Sequence, residues 1–199
     1  MTDTNRNPSR NWLYLLVGVG FLVVLCVGIV LVIAKGLSVF IAPNERGVVI
    51  SFYEQSGYRS EILEPGYHFL KPGEKIVLFD IGRQTYIMSG DPSANLDFVG
   101  ATTGDGQKIE VDISIVFAID PEKVLDLYIK WQDRYRDNVV RPASRSITRD
   151  AMTQYTLDQI LGNPDEIEKA IFDQLELTLS ENYIILLKFD LLDVRRADG

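Results

Sequence analysis

The longest apolar stretch of the chain runs from Trp12 to Ala34, where 23 residues pass without a charge, a proline or an amide side chain. A helix of this length reaches about 34 Å, which is enough to cross a hydrocarbon core of about 30 Å. A cleaved signal peptide has a shorter apolar core of about 7–15 residues, and a re-entrant hairpin would need a break in mid-run. The pattern predicts a transmembrane helix over 12–35, preceded by a polar, disordered tail, 1–11.

Beyond the span, alternating apolar and polar positions between turn signals predict β-strands. We expect a strand over Gly47–Phe52 and a short extended piece between the turns at Pro65-Gly66 and Pro72-Gly73. A long strand should follow over Lys75–Met88, bent near Gly82. The first half of the domain is therefore expected to be rich in β-structure.

The clearest local pattern is a β-hairpin. Phe98–Thr103 and Lys108–Ile119 flank the residues Gly104-Asp105-Gly106, and an Asp-Gly pair favours a tight hairpin turn. The second strand alternates, so one set of its apolar residues shares a face: Val111, Ile113, Ile115, Phe117 and Ile119. We expect Gly106 to adopt a positive φ in the turn.

After Asp120 the apolar period changes from two to about four, which predicts helices. Pro121 suits the first position of a helix, because a first-turn N–H has no partner within the helix. Asp133–Tyr155 is expected to form a longer helix that Pro142 either kinks or restarts.

Two capping patterns begin the last helices. Thr156 and Gln159 have the spacing of a capping box, and Asn163 is expected to cap a helix that ends near Glu181. The buried stripe of this helix is predicted at Ile167, Ile171, Leu175 and Leu179. Because Tyr183–Val194 then reads as a strand that returns to the sheet, the fold class is α+β.

Charge limits the partners. Residues after the span include 17 basic and 27 acidic side chains, a formal charge of −10. This balance argues against nucleic acid as a partner and against general adsorption to anionic lipid. Arg6 and Arg10 before the span nearly balance Lys35 and Arg46 after it, so only a slight bias favours an internal tail and an extracytoplasmic domain.

The inventory of reactive side chains is small. With one histidine and one cysteine, zinc coordination and His- or Cys-dependent nucleophilic catalysis are nearly excluded. Cys26 lies within the span as a small apolar residue, and His68 is interpreted as structural. No phosphate-binding glycine loop or nucleophile-elbow motif occurs. We therefore expect no enzymatic activity, no metal and no cofactor.

Three arginines at intervals of four, Arg141, Arg145 and Arg149, share one helix face. One interpretation is a solvated stripe paired with nearby Asp137 and Asp150. The other is a subunit interface that faces an acidic helix of a neighbouring copy. That helix would carry Asp165, Glu166, Glu168 and Asp173.

Six short motifs follow one another in order between residues 44 and 194. They are Glu64–Phe69 followed by Pro72, Asp80–Gln84, Thr103–Gly106 followed by Val111-Asp112, Ile119–Glu122 followed by Leu127-Tyr128, Val139–Arg149 followed by Tyr155-Thr156, and Phe189–Val194. Together, behind one N-terminal span, they resemble the SPFH family, also called the Band 7 or stomatin/prohibitin/flotillin family. The residues singled out as its structural motif are Pro65, Gly66, His68, Asp105, Gly106 and Pro121.

The resemblance implies an SPFH domain of two subdomains, 44–95 and 96–194, with a mixed or antiparallel sheet, helices on one side and a tail, 195–199. It implies a non-enzymatic, membrane-anchored scaffold that contacts lipid and forms homo- or hetero-oligomers with SPFH subunits. Members of the family enclose a membrane AAA+ protease or organise membrane microdomains. The proline-free span and short tail resemble the protease-regulating, prohibitin-like branch.

One departure leaves alternatives open. The family normally continues into a long coiled coil, whereas this sequence has no heptads after Val194. The sequence is either truncated or that of a short member, for which a smaller ring or an accessory subunit of a larger membrane complex replaces a cage. A membrane-tethered hydrolase is the third alternative, disfavoured because no nucleophile–base pair is identifiable.

Overall fold

The computed structural model describes residues 12, 16–28, 37–91 and 97–197. Residues 16–28 are helical and form α1. Within the described part of the chain, no helix is both long enough and apolar enough to cross a membrane. The predicted tail, 1–11, and parts of the predicted span, 12–35, lie outside the described residues, so the transmembrane helix stays a prediction.

Two small antiparallel sheets come first in the chain. Strands β1 (Ser38–Ile41) and β4 (Gly66–Phe69) form a two-stranded ribbon. A three-stranded sheet has the order β3-β2-β5 and contains β2 (Glu45–Ile50), β3 (Tyr58–Leu63) and β5 (Lys75–Asp80). The predicted strand at Gly47–Phe52 and the extended piece after Pro65-Gly66 are confirmed in position, as β2 and β4.

The third sheet is four-stranded and is built around β8 (Lys108–Ile119). One edge of β8 pairs with both β6 (Gln84–Met88) and β7 (Val99–Thr102), and its other edge pairs with β9 (Ile184–Arg196). The pairings in all three sheets are antiparallel, so the antiparallel alternative of the sequence prediction is the one observed.

The predicted long strand over Lys75–Met88 is wrong in one respect. The chain leaves the small sheet after Asp80 and enters the large sheet at Gln84, so the expected bend near Gly82 is a complete break between two strands. As a result β6 belongs to the large sheet, although the predicted boundary at 95/96 assigns it to the first subdomain. At the other end β9 includes Arg195 and Arg196, which were predicted to begin the tail, 195–199.

The helices follow β8. They are α2 (Val124–Trp131), a π-helical turn (Arg136–Val140), α3 (Arg141–Met152), α4 (Leu157–Gly162) and α5 (Pro164–Ser180). A new α-helix begins at Arg141, directly before Pro142, in agreement with the alternative that the proline restarts the helix. Both hydrogen bonds of the Thr156–Gln159 capping box are present.

Two predicted helix starts are wrong in detail. Pro121 lies in a turn, in which the Asp120 carboxylate accepts a hydrogen bond from Glu122 N–H, and α2 begins three residues later. The side chain of Asn163 does not cap α5; its amide instead donates to the Glu166 carboxylate at 2.6 Å. The Asp120 side chain therefore closes a local turn before α2, and the Asn163 side chain binds a first-turn carboxylate of α5.

The main hydrophobic core lies between the helices and the apolar face of β8. The predicted inward residues of β8 and the predicted stripe of α5 are buried, with at most 1% of any of these side chains exposed. Ile41, Val49 and Leu63 form a second, smaller core under the ribbon and the three-stranded sheet. The alternation of β8 and the four-residue spacing of α5 therefore located the main core correctly.

Gly106 provides a test of the hairpin turn. Its φ is +83°, as predicted, and no atom lies within 4 Å of the position that a Cβ would occupy. Strain alone should therefore make Gly106→Val destabilising, by about 1–2 kcal/mol in thermal denaturation. Gly100→Val in β7 is the control, because Gly100 has no positive φ and the nearest atom to its Cβ position is 4.0 Å away. Equal stability of the two variants would contradict the turn assignment.

Candidate functional site

The β1–β4 ribbon has one face turned to the small core and one apolar face turned to solvent. Ile41 is fully buried on the inner face. On the outer face, Phe40 lies opposite Tyr67, with ring centroids 4.9 Å apart, and Phe69 lies opposite Ser38. The exposed fractions are 55% for Phe40, 78% for Tyr67 and 71% for Phe69. A solvated sheet face normally carries polar side chains, so this face is built to contact something apolar.

Two further aromatic side chains continue this surface. Phe52 and Tyr53 lie in the turn after β2, and both are largely exposed. The Tyr53 hydroxyl donates to Pro72 O at 2.9 Å, and a Cβ on Gly73 would lie 2.8 Å from the Phe52 ring. Because residues 70–73 follow β4 directly, the two rings lie near the Phe69 end of the ribbon. We call Phe40, Phe52, Tyr53, Tyr67 and Phe69 the aromatic surface.

The aromatic surface lies next to the predicted span along the chain. Ser38, the partner of Phe69, is the first residue of β1, and Leu37 O accepts a hydrogen bond from Leu70 N–H at 2.8 Å. The end of the ribbon that carries Phe69 is thus the end at which the chain arrives from the apolar stretch Trp12–Ala34.

A buried carboxylate holds the two aromatic loops together. The Glu74 side chain is fully buried and forms an ion pair with Arg59, whose Nε lies 3.0 Å from Oε1. It also accepts hydrogen bonds from Ser51 Oγ at 2.9 Å and from Lys71 N–H at 2.7 Å. Burial alone would raise the pKa of Glu74, but these hydrogen bonds and the Arg59 charge lower it below its usual value.

The motif residues before β4 shape the ribbon. Gly66 opens β4 with a φ of +134°, directly after Pro65. His68 Nε2 lies 2.7 Å from Glu64 O, and this contact ties β4 to the preceding turn. These contacts agree with the structural interpretation of His68.

The hairpin turn is also closed by its own side chains. Asp105 accepts hydrogen bonds from Thr103 Oγ1 at 2.5 Å and from Gln107 Nε2 at 2.7 Å, and these bonds lower the pKa of Asp105. Asp105 and Gly106 therefore have a local structural role in the turn.

The three arginines of α3 bind their own chain. Arg141 and Arg145 both contact the Asp97 carboxylate at 2.6 Å. Hydrogen bonds from Arg141, opposed in part by burial, lower the pKa of Asp97. Arg145 also donates to Phe98 O at 2.7 Å, and Arg149 donates to Gly100 O at 3.1 Å.

The spacing of these contacts has a geometric reason. Four residues of a helix advance about 6 Å, and two residues of a strand advance about 6.6 Å. Arginines at intervals of four therefore stay level with alternate positions along the neighbouring strand β7. Arg145 and Arg149 bind backbone carbonyls there, whereas Arg141 binds the Asp97 carboxylate. The predicted pairing with Asp137 and Asp150 is wrong, since the carboxylate that is bound is Asp97. The subunit interface stays a prediction. Arg145→Glu would break the contacts of Arg145 with Asp97 and Phe98 in its own chain as well as any contact between subunits.

A second polar cluster holds the end of β9. The Asp112 carboxylate accepts hydrogen bonds from Ser89 Oγ at 2.7 Å and Gly90 N–H at 2.9 Å, and it pairs with Arg195 at 3.0 Å. A Cβ on Gly90 would lie 1.8 Å from Arg195 Nη2, so only glycine leaves room for this contact. Burial would raise the pKa of Asp112, but the Arg195, Ser89 and Gly90 hydrogen bonds lower it.

Sequence reasoning missed the aromatic surface, Glu74 and Asp97. A signal for the aromatic surface was present, because Ser38–Ile41 carries apolar residues at positions of both parities, so one of its apolar side chains must face away from the core. Glu74 and Asp97 had no such signal, since their partners lie far from them in the sequence.

The fold and these surfaces define an α+β domain with an apolar aromatic surface beside an N-terminal apolar stretch. The family model described as "SPFH domain / Band 7 family" matches residues 39–198, and the chain belongs to this family of membrane-associated scaffold proteins. SPFH proteins typically form oligomers with other SPFH subunits. A search of curated proteins finds no match to the chain.

Proposed function

We propose that the protein is a non-enzymatic scaffold, anchored by a helix over 12–35, which assembles with SPFH subunits on the membrane. In this role it organises a membrane patch or regulates a membrane AAA+ protease. The domain lies on the extracytoplasmic side. The observation that carries the proposal is the aromatic surface at the end of the ribbon that adjoins the apolar stretch.

The aromatic surface suits the interface of a bilayer. Phenylalanine and tyrosine rings gain about 1.5–3 kcal/mol each when a fully exposed side chain leaves water. Aromatic rings with a polar tip are also enriched at the level of the lipid headgroups. Lys71 Nζ lies 5.3 Å from the centre of the Tyr53 ring, which places an ammonium group beside the same surface. We infer that the ribbon rests in the headgroup region and fixes the orientation of the domain on the membrane.

A spin label at a single cysteine tests this placement. Cys26 is replaced by alanine in the full chain, and Phe69→Cys or Ile129→Cys is added as the labelling site. Ile129 on α2 is the control, with 50% of its side chain exposed, far along the chain from the ribbon. In phospholipid vesicles we expect the label at position 69 to be more accessible to oxygen than to a nickel chelate, and the label at position 129 to show the reverse. The same ratio at both positions would contradict the proposal.

A further inference from the structure

A groove opens where β7, the first residues of β8 and the last turn of α3 meet. It has a volume of about 390 Å³. Its apolar lining includes Phe98, Ala101 and Ile109, and Thr102 and Thr153 lie at its polar edge. Ala197, which directly follows β9, also lines the groove.

The rim of this groove is basic, although the domain is strongly acidic. Lys108 and Arg149 line it, and Arg196 pairs in register with Ile109 on the adjoining strand. Among the described residues, none of these three cations has an ion-pair partner: Arg149 binds only the carbonyl of Gly100. The one acid of the lining, Glu110, is already bound by Arg195 at 3.0 Å. Within the described part of the chain, Lys108, Arg149 and Arg196 therefore keep unpaired charges at the groove, while Glu110 shares Arg195 with Asp112 and Asp193.

The segment 157–166, which we call the α4–α5 projection, carries an exposed apolar side chain and acidic side chains. Leu161 on α4 is 60% exposed, although Leu157 and Ile160 of the same helix are buried. Asp158 lies one turn before Leu161, and Asp165 and Glu166 follow in the first turn of α5. Since Leu161 is exposed, it does not fill the groove of its own copy.

We propose that the α4–α5 projection of one copy docks in the basic groove of a second copy. Leu161 enters against the apolar lining, and Asp158, Asp165 and Glu166 face Lys108, Arg149 and Arg196. Net repulsion between two acidic domains is screened beyond about 8–10 Å at physiological salt, so the short-range pairs decide the contact. The inference rests on the proposed function, because a common membrane raises the local concentration of the copies. Since the two patches differ, repetition of the contact builds a ring or an open chain.

Disulfide trapping in vesicles tests the contact with the full chain in which Cys26 is replaced by alanine. Thr102→Cys in the groove is combined with Leu161→Cys in the projection. The control combines Thr102→Cys with Leu177→Cys, because Leu177 on α5 is similarly exposed, at 64%. We expect oxidation to give a ladder of covalent multimers with Leu161→Cys and none with Leu177→Cys.

Charge reversal then tests the predicted pairing in the same trapping assay. Lys108→Glu should lower the yield of the ladder on the order of five-fold, and adding Asp165→Lys should restore it. The size of the unmodified protein in native nanodiscs is measured in parallel. Native oligomers that give no ladder, or equal ladders with both cysteine pairs, would overturn this contact and leave the proposed scaffold intact. If the unmodified protein is a monomer in native nanodiscs, both this contact and the proposed scaffold function are overturned.

Discussion

Replacement of Glu74 by glutamine is expected to lower the free energy of unfolding by about 2–4 kcal/mol. Removing one partner of a buried ion pair costs about 3–5 kcal/mol when the other charge stays buried, and Arg59 keeps 20% of its side chain exposed, which reduces the cost. Thermal denaturation of the full chain in nanodiscs measures the loss. Glu61→Gln is the matched control, because Glu61 lies exposed on the neighbouring strand β3.

The same contact predicts a dependence on pH. The folded-state pKa of Glu74 is lower than its ordinary value of 4.5, so the stabilisation is complete above about pH 4.5 and is lost as the pH falls through the folded-state pKa. Asp97 and Asp112 have lowered pKa values and add to the loss in acid. We expect a smaller decrease in melting temperature between pH 6 and pH 3 for Glu74→Gln than for the unmodified protein. A decrease of the same size would show that the Glu74 contact does not contribute.

The Glu74 contact also has a functional consequence. Ser51 donates to Glu74 and accepts from Tyr53 N–H at 3.3 Å, and Lys71 N–H donates to Glu74 at 2.7 Å. The Glu74 carboxylate thus fixes two loops: the turn after β2, which carries Phe52 and Tyr53, and the turn after β4, to which the Tyr53 hydroxyl donates. In Glu74→Gln we expect the oxygen preference of a spin label at Phe52→Cys to decrease, while a label at Phe69→Cys keeps its preference, because β4 is held by its pairing with β1.

Replacement of Phe117 by alanine is expected to cost about 3–5 kcal/mol, the range for deletion of a buried aromatic side chain. Phe117 is fully buried in the last third of β8, two residues before its end, and meets Tyr135 edge-on, with ring centroids 6.4 Å apart. Its removal leaves a cavity between the sheet and the π-helical turn, where the neighbouring strands β6 and β9 restrict collapse.

The control for Phe117→Ala lies on the adjoining strand. Ile87 of β6 is 52% exposed, so Ile87→Ala should change the free energy of unfolding by less than about 1 kcal/mol. Denaturant titration at constant detergent concentration measures both variants. A loss of less than about 2 kcal/mol for Phe117→Ala would mean that the core beneath β8 repacks, contrary to the close packing described above.

Most of the candidate site was not predictable from local patterns. The Glu64–Phe69 motif correctly located the segment that forms β4. It did not predict that β4 pairs with β1, and this pairing places Phe40 opposite Tyr67. Arg141, Arg145 and Arg149 were correctly placed on one helix face, but their acceptors lie 44 to 49 residues earlier in the chain. Spacing along a helix identifies a shared face and carries no information on what that face meets.

The sequence alone determined those elements whose signals are contained within one element or one turn. The alternation of β8, the four-residue stripe of α5, the Thr156–Gln159 capping box and the positive φ of Gly106 all depend on residues a few positions apart. Tertiary structure decided the break between β5 and β6, the exposure of the aromatic surface and the partners of Glu74, Asp97 and Asp112. These features depend on which distant strands pair and on which side of each strand is then covered, and pairing is a property of the whole chain.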